Sequence, residues 1–269
     1  MIDDITQKRL RAKYNPEGSP LRVHQLKMLE MLKYFDSICK KNDIKYWLSS
    51  GTCLGAIRHG GFIPWDDDMD IEMLRSDYLK LVKVFKETDD YILQTWKNDK
   101  YYCLSFAKMR DKNSKIYNSL FKYKGVFIDI LVLEKSPKFL SLLTCYSRNI
   151  LWKVYTFVKQ GKKFSWLFTL LKFMFFNIMI PICRFLSKIS NCFFNNKYRH
   201  TLGTGWVNNT RFLNEILPTK NIDFEGVQLP IPNNYDKYLK RIYGNYMEIP
   251  QIENIQLSHV EFFKSPNNF

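Results

Sequence analysis

The sequence predicts an α+β fold in which helices flank a mixed sheet and a separate helical segment is inserted late in the chain. Three observations carry that reading. Apolar residues recur at helical spacing near the start, at Leu26, Leu29, Leu32, Phe35, Ile38 and Cys39. Short runs rich in aromatic and β-branched residues follow at 91–96, 102–109 and 126–133, and they alternate loosely with helical stretches. Residues 138–200 then change character and become basic, aromatic and helical in pattern.

Composition bounds the function. With 269 residues, 46% of them hydrophobic, the chain can bury a substantial core, which excludes disorder over most of its length. Its six cysteines form no C-x-x-C pair and no zinc spacing, as expected of apolar residues in a reduced compartment. The start, Met-Ile-Asp-Asp, lacks a basic-then-apolar secretion signal, so a cytoplasmic location is expected. The net charge of +15 is local. Residues 135–214 hold 13 Lys and Arg and no Asp or Glu, whereas the remainder holds 28 basic and 26 acidic residues, a balance of +2. Nucleic acid, an anionic membrane surface or an acidic glycan would each suit such a region.

In chain order, residues 21–41 read as an amphipathic helix and 45–48 as a short strand. Ser49-Ser50-Gly51-Thr52 leads into a short helix over 54–58 that stops at Gly60-Gly61. The run Trp65-Asp66-Asp67-Asp68-Met69-Asp70-Ile71-Glu72 reads as a strand. Extended, it places Asp66, Asp68, Asp70 and Glu72 on one face and Met69, Ile71 and Met73 on the other. A helix over 77–86, capped by Ser76 or Asp77, follows. Residues 164–183 are apolar apart from Lys172 and a few polar side chains, a length approaching a membrane span. Lys172 near the centre and Pro181 near the end oppose a crossing. A helix lying in the membrane interface and a helical subdomain packed on the rest stay open as readings.

Three constellations carry chemistry. Gly51-Thr52 before a helix offers backbone N–H groups and a hydroxyl to a phosphate, with Arg58 as a bidentate donor; taken alone, such a turn is more often a plain cap. The acidic run is either a solvated turn or a metal site, and its period-two apolar face favours metal. Carboxylates crowded on one face repel, and a hard divalent cation removes that cost. Asp129 is a lone carboxylate within the apolar run 125–133. It is either a strand-edge residue with its own partner or the third ligand beside Asp68 and Asp70. Asp66, on the same face, is the candidate general base. The histidines, among them His24, His59, His200 and His259, show no zinc pairing, and no Walker lysine is present.

The stretch from Ser50 through Gly60-Gly61-Phe62-Ile63-Pro64-Trp65 to Asp70 resembles the signature of the LicD family, which includes bacterial phosphorylcholine transferases and is related to fukutin-type ribitol-phosphate transferases. Gly125 to Glu134 is similar to the family's second block. Phe224-Glu225-Gly226 to Pro230-Ile231-Pro232, and Tyr235 to Tyr246, are similar to its C-terminal block. The resemblance implies a nucleotidyltransferase-like fold, with residues 1–136 and 201–269 as the catalytic domain and 137–200 as a basic, hydrophobic helical insertion at a membrane surface or packed on the core. It implies that Asp68, Asp70 and Asp129 hold Mg²⁺, with Mn²⁺ as the substitute, that Gly51 and Thr52 face the donor's phosphates, and that Lys108 and Arg110 contact phosphate. The implied reaction moves a phospho-alcohol, phosphorylcholine foremost, from CDP-choline or another CDP-alcohol to a hydroxyl of a cell-surface glycan or its lipid-linked precursor. It would occur in the cytoplasm or at the inner face of the cell membrane. If the donor is CDP-choline, Trp47 and Trp65 are the aromatic candidates for its ammonium group. Two rival readings are nucleotidyl transfer to a sugar phosphate or RNA, and nucleic-acid binding through residues 135–214. The interleaving of charge with long apolar stretches argues for a membrane over nucleic acid, which is not an expected partner.

Overall fold

A computed structural model of the chain describes residues 2–115, 120–161 and 163–250. The outer ends of the expected catalytic segments, and His259, lie outside these residues. Two helices open the chain, α1 (Asp4–Tyr14) and α2 (Pro20–Lys41), followed by β1 (Trp47–Leu48), α3 (Ser50–His59), β2 (Asp70–Leu74), α4 (Arg75–Val84), β3 (Tyr91–Gln94), β4 (Ala107–Asp111) and β5 (Phe127–Lys135). The helical segment comprises α5 (Lys138–Lys159), α6 (Ser165–Phe173), a π-helical turn (Met174–Met179) and α7 (Ile180–Phe193). The chain then forms β6 (Tyr198–His200), α8 (Leu213–Ile216), the hairpin β7 (Lys220–Phe224) and β8 (Val227–Ile231), and α9 (Tyr235–Tyr243).

The main sheet runs β1-β2-β5-β4-β3, with β6 also paired to β5. It is mixed: β2 and β5 are parallel, whereas β1, β4, β3 and β6 join antiparallel. The expected α+β class with a mixed sheet and flanking helices is therefore observed. Met69, Ile71 and Met73 are buried on one face with Ile128 and Ile130 of β5, and α2 adds Met28, Leu32 and Phe35 to the same core. The 3.6-residue spacing read from the sequence is thus the core face of α2 from Leu29 onward, whereas Leu26 is exposed. That helix is capped by Ser19, whose side chain accepts from Arg22 N, with Pro20 at its first turn.

Several boundaries differ from the sequence reading. Pairing in the acidic run begins only at Asp70, and residues 66–69 approach it as irregular backbone. The helix expected over 77–86 starts at Arg75 without a side-chain cap. Asp77 instead accepts from Lys45 N at 3.3 Å and pairs with Lys80. In the expected strand 102–109, pairing starts at Ala107, because Tyr102 and Cys103 are drawn into a second apolar cluster with Phe168, Phe175 and Phe176. The helix expected over 54–58 extends from Ser50 to His59 and ends where Gly60 takes φ +67°.

Lys172 points inward. It is buried, and its ammonium donates to the carbonyls of Asp99 (2.6 Å) and Lys100 (2.9 Å). Burial lowers its pKa to about 8, against the opposing pull of Asp99. Arg184, three turns on, donates to Glu134 at 3.1 Å. The π-helical turn lies just ahead of Pro181, which has no N–H to continue an α ladder. At the other end of the chain, the β7–β8 hairpin closes the fold. Glu225 at its tip receives Arg11 at 2.9 Å and Arg22 at 3.0 Å, and a side chain on Gly61 would strike it.

Candidate active site

Asp70 lies opposite Asp129 in the parallel β2–β5 ladder, and Asp129 lies opposite Lys108 in the antiparallel β5–β4 ladder. Residues paired across a sheet share a face, so Asp70, Asp129 and Lys108 form one row. Asp68, two residues before Asp70, is the dominant like charge acting on it. The N–H of Asp129 donates to Met69 O at 2.8 Å, which fixes the register at the site itself.

The start of α3 is tied to the same place. Thr52 Oγ1 accepts from Asp70 N at 2.8 Å, and Ser49 N donates to Asp70 O at 3.0 Å. A side-chain carbon on Gly51 would lie 3.0 Å from Asp66 Oδ2, so the glycine lets the helix N-terminus approach that carboxylate. Ser50 takes φ +46°, a strained conformation for a residue with a side chain, and the Tyr238 hydroxyl accepts from its N–H at 3.4 Å. The first turn of α3 is thus packed against the acidic row.

The electrostatics are those of like charges held together. Burial, then Asp68, raise the pKa of Asp66 well above the usual carboxylate range. Burial, then Asp68 and Asp129, do the same for Asp70. Asp68 is raised by burial and by Asp129. Lys108 donates to Asp129 Oδ1 at 2.5 Å and sits 3.5 Å above the Phe127 ring; burial lowers its pKa against the pull of Asp129. Among the described residues, no group of three His, Cys, Asp or Glu side chains is arranged to hold a metal ion as it stands. The donor chemistry nevertheless fits a hard cation: carboxylate oxygens from Asp68, Asp70 and Asp129, with neither thiol nor imidazole among them.

Other expected site residues have different duties. Arg58 Nη1 donates to the carbonyls of Tyr246 (2.9 Å) and Glu248 (3.0 Å), so this nitrogen fastens the C-terminal segment instead of standing open to phosphate. Arg110 is buried, donates to Gln94 Oε1 (2.6 Å) and Gly125 O (2.7 Å), and lies over Phe127, contacts that tie β4 to its neighbours. Trp47 is buried in the core and donates to Glu72 at 3.0 Å, so it offers no face to a ligand. Trp65 is half-buried against Tyr14 and His59.

Glu72 leaves the acidic row altogether. It receives Arg211 Nε at 2.9 Å and the Tyr238 hydroxyl at 3.1 Å, and lies 2.8 Å from His200 Nε2. Burial would raise its pKa, but Arg211 and His200 outweigh burial and hold it far below the usual range. The Tyr238 hydroxyl also meets Ser49 Oγ at 3.0 Å, so this network braces the strained turn at Ser50. Tyr243, five residues on in α9, is a site neighbour to which sequence reasoning gave no role. Burial, then Asp70, Asp66 and Asp68, raise its hydroxyl pKa.

Comparison with known proteins gives the family of the chain. The family described as LicD/FKTN/FKRP, nucleotidyltransferase domain, matches residues 43–184. The chain is 30% identical over 259 residues to the lipopolysaccharide cholinephosphotransferase LicD of Haemophilus influenzae, covering 90% of this chain and 96% of that protein. It is 40% identical over 48 residues to the ribitol 5-phosphate transferase FKRP of Homo sapiens, which is 18% of this chain and 10% of that protein. The ribitol-5-phosphate transferase FKTN of Mus musculus is 27% identical over 148 residues, 54% of this chain and 27% of that protein. The matched span contains α3, both acidic strands and Lys108, and on these grounds the chain belongs to the LicD/FKTN/FKRP nucleotidyltransferase-domain family.

Proposed function

We propose that the protein transfers a phospho-alcohol, phosphorylcholine foremost, from a CDP-alcohol to a hydroxyl of a cell-surface glycan or its lipid-linked precursor, on the cytoplasmic side of the cell. The observation that carries this reading is the row Asp70–Asp129–Lys108, set against the N-terminal turn of α3. The likeness over almost the whole length of a cholinephosphotransferase favours choline among the alcohols.

Asp68, Asp70 and Asp129 would hold a divalent cation, Mg²⁺ or Mn²⁺, which neutralises charge on the donor's diphosphate oxygens. The α3 turn at Gly51-Thr52 presents backbone N–H groups and the Thr52 hydroxyl proton to the same diphosphate. Lys108 offsets part of the charge that builds on the phosphoryl oxygens. The acceptor oxygen attacks the phosphorus that bears the alcohol, its bond to the CMP oxygen breaks, and CMP leaves with the bonding electron pair. Asp66 takes the acceptor's proton. Its crowded, buried setting strengthens it as a base once ionised.

Incubating the purified protein with a panel of CDP-alcohols and a glycan acceptor tests the reading. CMP release together with an acceptor heavier by one phospho-alcohol is the expected result. Release of pyrophosphate from a nucleoside triphosphate would assign nucleotidyl transfer instead.

A further inference from the structure

We propose that α5 and the α6–α7 run form a docking surface for an anionic lipid bilayer, with both helices lying in the plane of the interface. Ser165–Phe193 is a 29-residue helical run apolar enough to cross a membrane by length and composition. One side of it is already taken. Phe168, Lys172, Phe175, Ile180 and Cys183 are buried against the protein, and Lys172 and Arg184 are bonded to groups outside the run. A helix fastened along its length to a polar catalytic body cannot pass through hydrocarbon.

The opposite side is apolar and open. Trp166, Phe173, Ile178, Ile182 and Phe185 are exposed along it; the seven-residue step from Trp166 to Phe173 and the four- and three-residue steps from Ile178 to Phe185 each follow a helical face, and Trp166 and Phe185 retain 66% and 63% of their surface. On α5, Phe139, Tyr146, Ile150 and Phe157 are exposed in the same way, with Lys153 exposed in the same stripe. Lys172 and Arg184, turned inward, leave this face of the α6–α7 run without their charges. An apolar surface of this extent, carrying aromatic side chains, marks an interaction site.

Charge selects the occupant. Residues 135–214 contain no acidic side chain. Lys135, Lys138, Lys188 and Lys197 are exposed where α5 begins and α7 ends, and Lys159 and Lys163 are exposed at the other end of the helical pair. A second copy docking through this face would bring like charges together. An anionic bilayer accepts the apolar middle and pairs with lysines at both ends. This inference stands apart from the reaction proposed above.

The test uses the full-length protein, freed of detergent, in sedimentation with vesicles of phosphatidylcholine alone or mixed with phosphatidylglycerol. The parent protein is expected to pellet with the mixed vesicles and far less with phosphatidylcholine. The paired change Trp166→Glu and Phe185→Glu, at exposed positions, should lower vesicle affinity about tenfold or more with an unchanged circular dichroism spectrum. Changing Lys159, Lys163 and Lys188 to Gln should remove the preference for phosphatidylglycerol. Alkaline carbonate should strip the protein from isolated membranes. The proposal is overturned if the parent protein stays in solution with both vesicles, if the glutamate variant binds like the parent, if the glutamine variant keeps the lipid preference, or if carbonate fails to release the protein. A parent dimer that the glutamate pair converts to monomers, without vesicle binding, would assign the face to a second copy.

Discussion

Asp70 and Asp129 stand opposite each other in the parallel β2–β5 pair, and Lys108 extends their row onto β4. A parallel pair requires the chain to leave the sheet and return. It does so through α4, β3 and β4, and this path delivers the lysine to the same row. The site is therefore a property of the sheet's register, since a slip of one residue would turn every carboxylate to the other face.

The proton-binding behaviour of this row should be visible in stability. Asp66 and Asp70 have pKa values raised in the folded state, so the folded chain binds more protons than the unfolded chain from about pH 4 up to those raised values. Stability held at the acidic end of that window is lost as pH rises through it. Thermal melts in chelator should show a midpoint that falls as pH rises above the ordinary carboxylate range, and added Mg²⁺ should restore it.

Asp70→Asn removes one of the crowded charges at the cost of a ligand. In chelator at neutral pH its melting midpoint should rise by about 2–4 °C, the shift corresponding to about 1 kcal/mol in a chain of this size. CMP release from CDP-choline should fall to background. A variant that keeps turnover would remove Asp70 from the ligand set.

Glu72→Gln should do the opposite to stability. Its loss leaves Arg211 buried without a counter-charge, which costs about 3–5 kcal/mol. A lowered urea midpoint measures this. The folded-state pKa of Glu72 is depressed, so its contribution is present above its unfolded value of about 4.5 and fades as pH falls below that value toward the depressed one.

Two glycine substitutions separate function from folding. Gly51→Ala places a carbon 3.0 Å from Asp66 Oδ2 at the mouth of the α3 turn, so KM for the donor should rise with little change in melting temperature. Gly125→Ala places a carbon 1.8 Å from the Asp111 carbonyl, a backbone atom that cannot swing aside. That variant should be recovered mainly as unfolded protein.

Lys108→Met tests the cationic end of the row. Turnover should fall about 100-fold, in the range seen when one charge-stabilising donor is removed. Asp129 then lacks its ion-pair partner, so the stabilisation gained on adding Mg²⁺ should exceed that of the parent protein. Paired thermal melts with and without the cation give the comparison.

The sequence made the acidic row legible because its signals are local. Alternation over Asp70–Leu74 assigns faces, and a carboxylate inside the apolar run at Asp129 demands a partner, whereas Asp66 and Asp68 precede the paired strand. The hydrogen bonds of the arginines are not legible for the reverse reason. That Arg58 and Arg110 are charged is evident in the sequence, but where each guanidinium points depends on carbonyls that only the fold brings near, those of Tyr246 and Gly125. Glu72 looked like a fourth member of the row because its partners lie 139 residues away at Arg211 and 166 away at Tyr238, a distance over which spacing carries no information. Lys172 interrupts an apolar run in the sequence, and only the structure shows that it faces the protein.

The Glu225 clasp bears on how the enzyme comes into being at the ribosome. Arg22 leaves the exit tunnel with Glu17 already beside it, whereas its second partner, Glu225, follows 203 residues behind. Until α9 emerges, Glu72 lacks Tyr238, and the strained turn at Ser50 lacks the hydroxyl that meets Ser49 and Ser50. A nascent chain stalled before α9 would carry every aspartate of the row beside an α3 turn that Tyr238 does not yet brace, so the site is assembled only after that tyrosine has left the tunnel.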